Sequence, residues 1–392
     1  GFEPEGEIRR MIQRIQFDRL LLTLVLGLFL FGSASMYSAS TTVAEQEYHD
    51  SNYYLKKHMR NTLVAVVVFI FFSSFNHQNF RKLAKPILAI AVIALIVVIA
   101  QHRINHIPRP ARWLSLWGFS IQVSDLARLA FIIFLADALH SKQPRIEDLK
   151  QTMLPLFLVT AVICGLVVIE PDLSSSVMIM AVAIAMFFMG NVKLSHISGF
   201  LAIAGSGAMI TAWVTPYMRQ RILTFFDSSR DVTHAGYQIH QSLVTLAHGG
   251  MNGVGLGDSF GKALYLPEPH TDFVFAIIGE EWGFIGAFIL LTIFILIFLR
   301  GMRIARNSPD IYSMLLAEGL SLSFFLYALA NVAVVVDLIP TTGLPLPLVS
   351  YGGSNLMITA AMLGILFNIA GTNGTGVPNK KVTGSLSELY ES

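Results

Sequence analysis

What most constrains this chain is the recurrence of long apolar runs. An α-helix rises 1.5 Å per residue, so ~20 apolar residues cross the ~30 Å hydrocarbon layer with every backbone polar group satisfied internally. Runs at or near that length fall at residues 20–40, 59–76, 83–100, 121–140, 153–170, 173–190, 195–214, 280–299, 311–336 and 354–371. They predict an all-α, polytopic membrane protein with about ten transmembrane helices. The second and fourth are the weakest, because Arg60 sits at one edge and Asp125, Arg128 and Asp137 interrupt the other. Only 13% of the 392 residues are charged. A soluble domain is nearer ~25%, so a water-soluble enzyme is excluded. The net charge of +2 carries no nucleic-acid signature, and a single cysteine, Cys164, excludes a disulfide framework or a cysteine metal cluster.

Basic residues favour the cytoplasmic side of a membrane protein. With the N-terminus inside, 16 Lys and Arg fall on the cytoplasmic side and 10 outside, four of the latter in one long loop that the rule discounts. Both termini are therefore predicted cytoplasmic. Trp113, Trp117, Trp213 and Trp282 then lie near the outer face, where indoles anchor. Three regions follow. Residues 1–19 read as a cytoplasmic amphipathic segment, with Arg9, Arg10 and Arg14 opposite Met11, Ile12 and Ile15. Residues 20–371 form the transmembrane domain, with one large external loop over 215–272 between the seventh and eighth helices. Residues 372–392, holding Gly374, Gly376 and Pro378, read as a flexible cytoplasmic tail.

The loop 215–272 is too rich in Phe, Tyr and Leu for a linker, and loops this long tend to carry function. At its centre stand Gly249, Gly250, Gly253, Gly255 and Gly257, which permit either close approach of a ligand or a tight turn packed on another backbone. No Gly-Lys-Ser/Thr follows, so this is not a phosphate-cradling Walker loop. Next comes Tyr265-Leu-Pro-Glu268-Pro-His270-Thr-Asp272-Phe273. Asp272 stands where the chain re-enters the bilayer, and partial desolvation there raises a carboxylate toward the pKa of a useful base. The alternative is a helix cap. His270 and Asp272 together are two metal ligands without a third.

Charges inside spans suggest function by default. Asp125 and Arg128, three residues apart, are read first as a structural salt bridge on one helix face. Glu170-Pro171-Asp172 occupies a tight outer turn, either as solvated acids or as carboxylates level with Asp272. Arg109 and Arg112 form an external cationic site suited to phosphate or to headgroup anchoring. The apolar, proline- and glycine-containing stretch from Ile339 to Ser354 suggests a re-entrant segment lining a cavity.

At these motifs the chain resembles the SEDS family (shape, elongation, division and sporulation), polytopic peptidoglycan glycosyltransferases typified by FtsW and RodA. The resemblance covers about nine-tenths of the chain. It is carried by Gly249 to Ser259 with Lys262, by Leu-Pro-Glu-x-His-Thr-Asp-Phe ending at Phe273, and by Pro-Leu-Pro-Leu-Val-Ser-Tyr-Gly-Gly-Ser ending at Ser354. It departs from the family at Val123, Asp125 and Arg128 in the Gln-Pro-Ser-Glu-x-x-Lys motif, at Ser174, and at Arg109 and Pro110. The run after Asp272 looks more like the FtsW branch. The resemblance implies ten helices and an essential external aspartate, which carries over to Asp272 as catalytic base. It implies polymerisation of lipid II at the outer face of the bacterial cytoplasmic membrane, for division or elongation, with Arg112 and Lys262 stabilising the departing undecaprenyl pyrophosphate, alone or with a divalent cation, Mg or Mn. His270, Glu268, Asp172, Ser350 and Ser354 complete the expected substrate-binding set. A class B penicillin-binding protein transpeptidase and other divisome or elongasome membrane proteins are the expected partners. The competing reading is a lipid II flippase that makes no bond, its path lined by Asp125, Arg128, Glu318 and Asp337.

Overall fold

The computed structural model describes residues 18–105, 112–116, 119–226, 235–261 and 271–373. The amphipathic segment expected at 1–19 lies outside these residues up to Phe17, as does the tail from residue 374. In chain order the helices are α1 (Arg19–Tyr48), α2 (Tyr53–Ser74) and α3 (His77–Asn105), then a hairpin of β1 (Trp113–Leu116) and β2 (Phe119–Gln122). There follow α4 (Val123–Lys142), α5 (Leu154–Ile169), α6 (Leu173–Met189), α7 (Leu194–Val214), α8 (Pro216–Phe226) and α9 (Ala235–Gly249). The chain ends with α10 (Val274–Arg306), α11 (Ile311–Val335) and α12 (Gly353–Asn373).

Among the described residues, 7 helices are long and apolar enough to cross a membrane: α1, α3, α5 with the turn before it, α7, α10, α11 and α12. α6 is apolar but shorter. α2 and α4 correspond to the two weak runs and carry Lys56, Lys57 and Arg60, and Asp125, Arg128 and Asp137. α11 and α12 are the most deeply buried of the candidate spans and α7 the least. On α7, Ile203, Met209 and Val214 face outward, as lipid-facing side chains do.

Several helix ends differ from the expected runs, by up to eight residues at Tyr48 of α1, and three differences have a structural reason. α2 begins at Tyr53 rather than near 59, since Lys and Arg on a helix keep their apolar stems packed while the charged heads reach a polar region. α10 begins at Val274 rather than 280, because Glu280 and Glu281, which look like charges at a membrane boundary, are buried and bonded within the fold. The run expected from 121 turns helical only at Val123. β1 and β2 pair antiparallel with Trp113 opposite Gln122, and Val123 N–H extends the ladder to the Arg112 carbonyl at 3.2 Å. The expected 215–272 loop is itself structured, holding α8 and α9.

α10 is broken at Gly283, whose φ of 66° lies in the left-handed region. The glycine-rich run fills the break. Val254 and Gly255 N–H groups donate to the Glu280 and Glu281 carbonyls at 3.0 and 3.1 Å, while Phe284 and Ile285 donate to Gly250 and Met251 at 2.9 and 3.2 Å. The backbone groups released by the kink thus find partners in the run rather than in water. Glu280 accepts from Ser259 Oγ, from Phe260 N–H and Gly261 N–H, each at 3.1 Å, and faces His248 Nδ1 at 2.7 Å. Glu281 accepts from Gly257 N–H at 3.1 Å and from Ser38 Oγ on α1. Of the two readings of the glycines, the packed turn describes this geometry.

The opposite end of the bundle is closed by separate ion pairs: Arg300 with Asp18 at 2.5 Å and Arg81 with Asp137 at 3.2 Å. At that end His77 and Gln78 also bind the start of α11 through Ser313 and Asp310.

Candidate active site

Asp272 stands one residue before Phe273, the N-cap of α10, and not at the cap itself. Asn331, buried on α11, holds it in place: its Nδ2 donates to the Asp272 carbonyl and to the Leu344 carbonyl, both at 2.8 Å. This draws the 339–354 segment against the aspartate. Gly343, at φ 74°, brings its Cα so close that a Cβ there would lie 3.6 Å from Asp272 Oδ2.

Two cavities adjoin this junction through chain neighbours: Thr271, which precedes Asp272, lines one, and Thr342, which precedes Gly343, lines the other. The first, about 510 Å³, is lined by Thr271 next to the aspartate and by Lys57, Arg60, Asn61, Trp113, Ser120 and Tyr351, with Gly352, Gly353 and Met357. It is polar, cationic and aromatic. The second, about 410 Å³, is lined by Arg112, Asp172, Ser174, Arg221, Thr341 and Thr342 on a mainly apolar wall that includes Val177, Met178, Met218 and Ile222. Arg112 and Trp113 are consecutive where a strand begins, and alternation along a strand sends successive side chains to opposite faces. One enters each cavity.

Arg112 also clamps the turn between α5 and α6. Its Nε donates to the Glu170 carbonyl at 3.1 Å and its Nη2 to the Pro171 carbonyl. Asp172 caps α6 by accepting from Ser175 N–H at 3.2 Å, and its other oxygen accepts from Gln122 Nε2 at 2.9 Å and Ser124 Oγ at 3.1 Å. The Glu170 carboxylate lies in the same turn, buried with both oxygens lacking a hydrogen-bond partner. Burial, reinforced by the neighbouring Asp172 and only partly offset by Arg112, pushes its pKa up to about 8.

The remaining expected residues divide between structural roles and positions outside the description. Asp125 and Arg128 meet at 3.4 Å, and the guanidinium lies 3.6 Å from the centroid of the Tyr327 ring. Asp125 also accepts from Ser354 Oγ at 2.9 Å and Asn355 Nδ2 at 3.4 Å, tying α4 to the start of α12. Ser350 Oγ accepts from Leu346 N–H at 2.8 Å and closes the turn in its own segment. Ser350 and Ser354 are both buried by these contacts, so they brace the cavity-lining segment from behind. Lys262, Glu268, His270, Arg109 and Trp117 lie outside the described residues. Among the described residues no group of three or more His, Cys, Asp or Glu is placed to hold a metal ion.

Lys57, Arg60, Arg221 and Asn331 stand in no motif that marks them in the sequence. An Asn within an otherwise apolar span was the available signal, since a buried amide needs partners.

The comparisons agree with this architecture. The family model described as cell cycle protein, FtsW/RodA/SpoVE, matches residues 18–374. A probable peptidoglycan glycosyltransferase FtsW of Trichlorobacter lovleyi is 36% identical over 93% of this chain and 95% of its own length. Stage V sporulation protein E of Bacillus subtilis is 33% identical over 90% of this chain and 96% of its own. In fold, a chain from a peptidoglycan synthase complex that coordinates polymerization and crosslinking superposes with a TM-score of 0.73 at 23% identity, covering 92% of this chain and 99% of that one. Spans, glycine-docked helix break and aspartate junction are thus those of a chain that belongs to the FtsW/RodA/SpoVE family of cell cycle proteins.

Proposed function

We propose that this protein is a peptidoglycan glycosyltransferase of the bacterial cytoplasmic membrane, polymerising lipid II into glycan strands. The observation that carries the reading is Asp272, at the start of an apolar helix and beside a polar, cationic cavity, in a chain whose relatives are named for that activity. In the reaction Asp272 takes the proton from the acceptor sugar's 4-hydroxyl, and that oxygen forms the new bond to the donor's anomeric carbon. The bond from that carbon to the prenyl pyrophosphate breaks, and the pyrophosphate leaves with the electron pair. Positive charge at the leaving group lowers the barrier, a role for Arg112 and, outside the described residues, Lys262. A magnesium or manganese ion, if bound there, would add to that charge.

α2, α4 and α6 bring the spans to ten, with both termini cytoplasmic and the Asp272 junction facing outward. The excess of Lys and Arg on the other side supports that orientation. A transpeptidase, in this reading a class B penicillin-binding protein with other divisome or elongasome members, would cross-link the product. The flippase reading is not favoured. Asp125 and Arg128 pair with one another and with Ser354 instead of lining a path, and the Trichlorobacter lovleyi relative is named a transferase.

The test is polymerisation of labelled lipid II by purified protein in detergent, where there are no two sides to transport between. Glycan strands from the parent and a loss of about 10²-fold or more in Asp272→Asn are expected. Parental rates in Asp272→Asn would overturn the base assignment, and no polymer from the parent would overturn the reading.

A further inference from the structure

Any glycosyl polymerase must hold two lipid-linked sugars at once, and the two cavities differ in a way that assigns them. The cavity beside Thr271 is walled by Lys57, Arg60, Asn61 and Ser120 with the rings of Trp113 and Tyr351, a lining that suits a sugar and its hydroxyls. The cavity beside Thr342 presents two guanidinium groups, Arg112 and Arg221, over Val177, Met178 and Ile222. Planar guanidinium forks match phosphate oxygens, and an aliphatic floor matches a hydrocarbon chain. The same chemistry repeated at one mouth is a diphosphate bearing a prenyl tail.

We propose that the Arg112/Arg221 cavity is the donor site, gripping the pyrophosphate and first prenyl units, while the Thr271 cavity takes the acceptor sugar. Arg221 is then a substrate-binding residue. The proposal rests on the glycosyltransferase reading and adds to it which substrate each cavity takes.

Both arginines are held ready before substrate arrives. Arg112 is fixed by the Glu170 and Pro171 carbonyls, and Arg221 Nη1 donates to the Thr341 carbonyl at 2.9 Å. Asp172, which also borders this cavity, has both oxygens engaged by Gln122, Ser124 and Ser175, so its charge is spread through the protein and repels an incoming anion less. The two linings meet in sequence at Arg112 and Trp113, and Thr271 of the first and Thr342 of the second stand next to the partners of the Asp272–Gly343 contact. A base at that contact touches the acceptor hydroxyl and lies next to the bond being broken.

The experiment is equilibrium binding of radiolabelled undecaprenyl pyrophosphate to full-length protein in nanodiscs, with no second substrate and hence no turnover. Arg221→Gln removes a charge, and Val177→Trp, at a half-exposed helix position with room for a larger side chain, blocks the apolar floor. Each is expected to weaken binding about tenfold or more, whereas Lys57→Gln in the other cavity changes it less than about twofold. If Arg221→Gln fails to fold, Val177→Trp alone decides. Parental binding in the variant that folds, a larger loss in Lys57→Gln, or equal displacement by phosphatidylglycerol, marking a general anionic-lipid surface, would each overturn the proposal. A parent that binds the probe but makes no polymer overturns the glycosyltransferase reading alone. A parent that polymerises while Val177→Trp binds normally overturns the donor site alone.

Discussion

Asn331 on α11 donates to the carbonyl of Asp272 at 2.8 Å and, through the same amide nitrogen, to Leu344 at 2.8 Å. One buried side chain thereby joins the candidate base to the segment that walls off the second cavity. Its removal leaves two carbonyls without a donor, which costs about 1–3 kcal/mol where they are buried. Asn331→Ala is expected to lower kcat for lipid II polymerisation while KM changes little, because the fault is in where Asp272 points and not in substrate contacts. Steady-state kinetics beside a thermal melt separates that outcome from simple unfolding, in which specific activity of the folded fraction stays parental.

The Asp125–Arg128 pair is buried, with Tyr327 beneath the guanidinium and Ser354 and Asn355 on the carboxylate. Deleting one charge strands the other, so Asp125→Ala should destabilise the protein by about 3–5 kcal/mol. The double replacement Asp125→Leu with Arg128→Met should lose less than Asp125→Ala alone, since no unpaired charge remains. Thermal unfolding in detergent checks the order; a double variant less stable than the single one would contradict it.

The glycine run is docked backbone to backbone. A Cβ on Gly249 would stand 2.7 Å from Glu280 Cα, and one on Gly253, at φ 82°, would stand 2.7 Å from Gly283 N. Neither neighbour is a flexible side-chain end that can move aside. Gly249→Ala and Gly253→Ala should each destabilise by roughly 2 kcal/mol or more, whereas Gly250→Ala, with open space at its Cβ position but φ 54°, should cost only about 1 kcal/mol of backbone strain. Protease sensitivity of the 249–261 segment reports the undocking.

Glu170 titrates late because it is buried beside Asp172. The folded protein keeps its proton up to about pH 8, while the unfolded chain releases it near 4.5. The unfolded state therefore binds fewer protons across that window, and stability falls as pH rises through it. Glu170→Gln removes the titration. Its melting temperature should match the parent near pH 4.5 and exceed it increasingly toward pH 8; a constant offset at every pH would show that Glu170 does not titrate there.

Much of the architecture is legible in local sequence. The apolar runs mark where the helices lie, with ends off by up to eight residues, and Asp272 stands out as a carboxylate just before such a run. The prolines and glycines of 339–354 mark non-helical backbone. These are local signals, because hydropathy and backbone freedom belong to the residues themselves. The helix starts at Tyr53 and Val274 were misjudged for the same reason: charge at Lys57 or Glu280 reads as solvent exposure until a partner is known.

The sequence alone determined that the chain is a bundle of apolar helices with its distinctive residues gathered near one end. Only the tertiary structure decided which of those residues face a cavity. Ser350 and Ser354 carry the right chemistry for substrate but are consumed by Leu346 and Asp125. Arg221 and Lys57 look like ordinary surface charges yet line the two cavities beside Asp272. The physical reason is that a hydrogen-bonding group has few donors and acceptors to give. Whether they go to the fold or to a ligand depends on partners tens to hundreds of residues away, which no local pattern records.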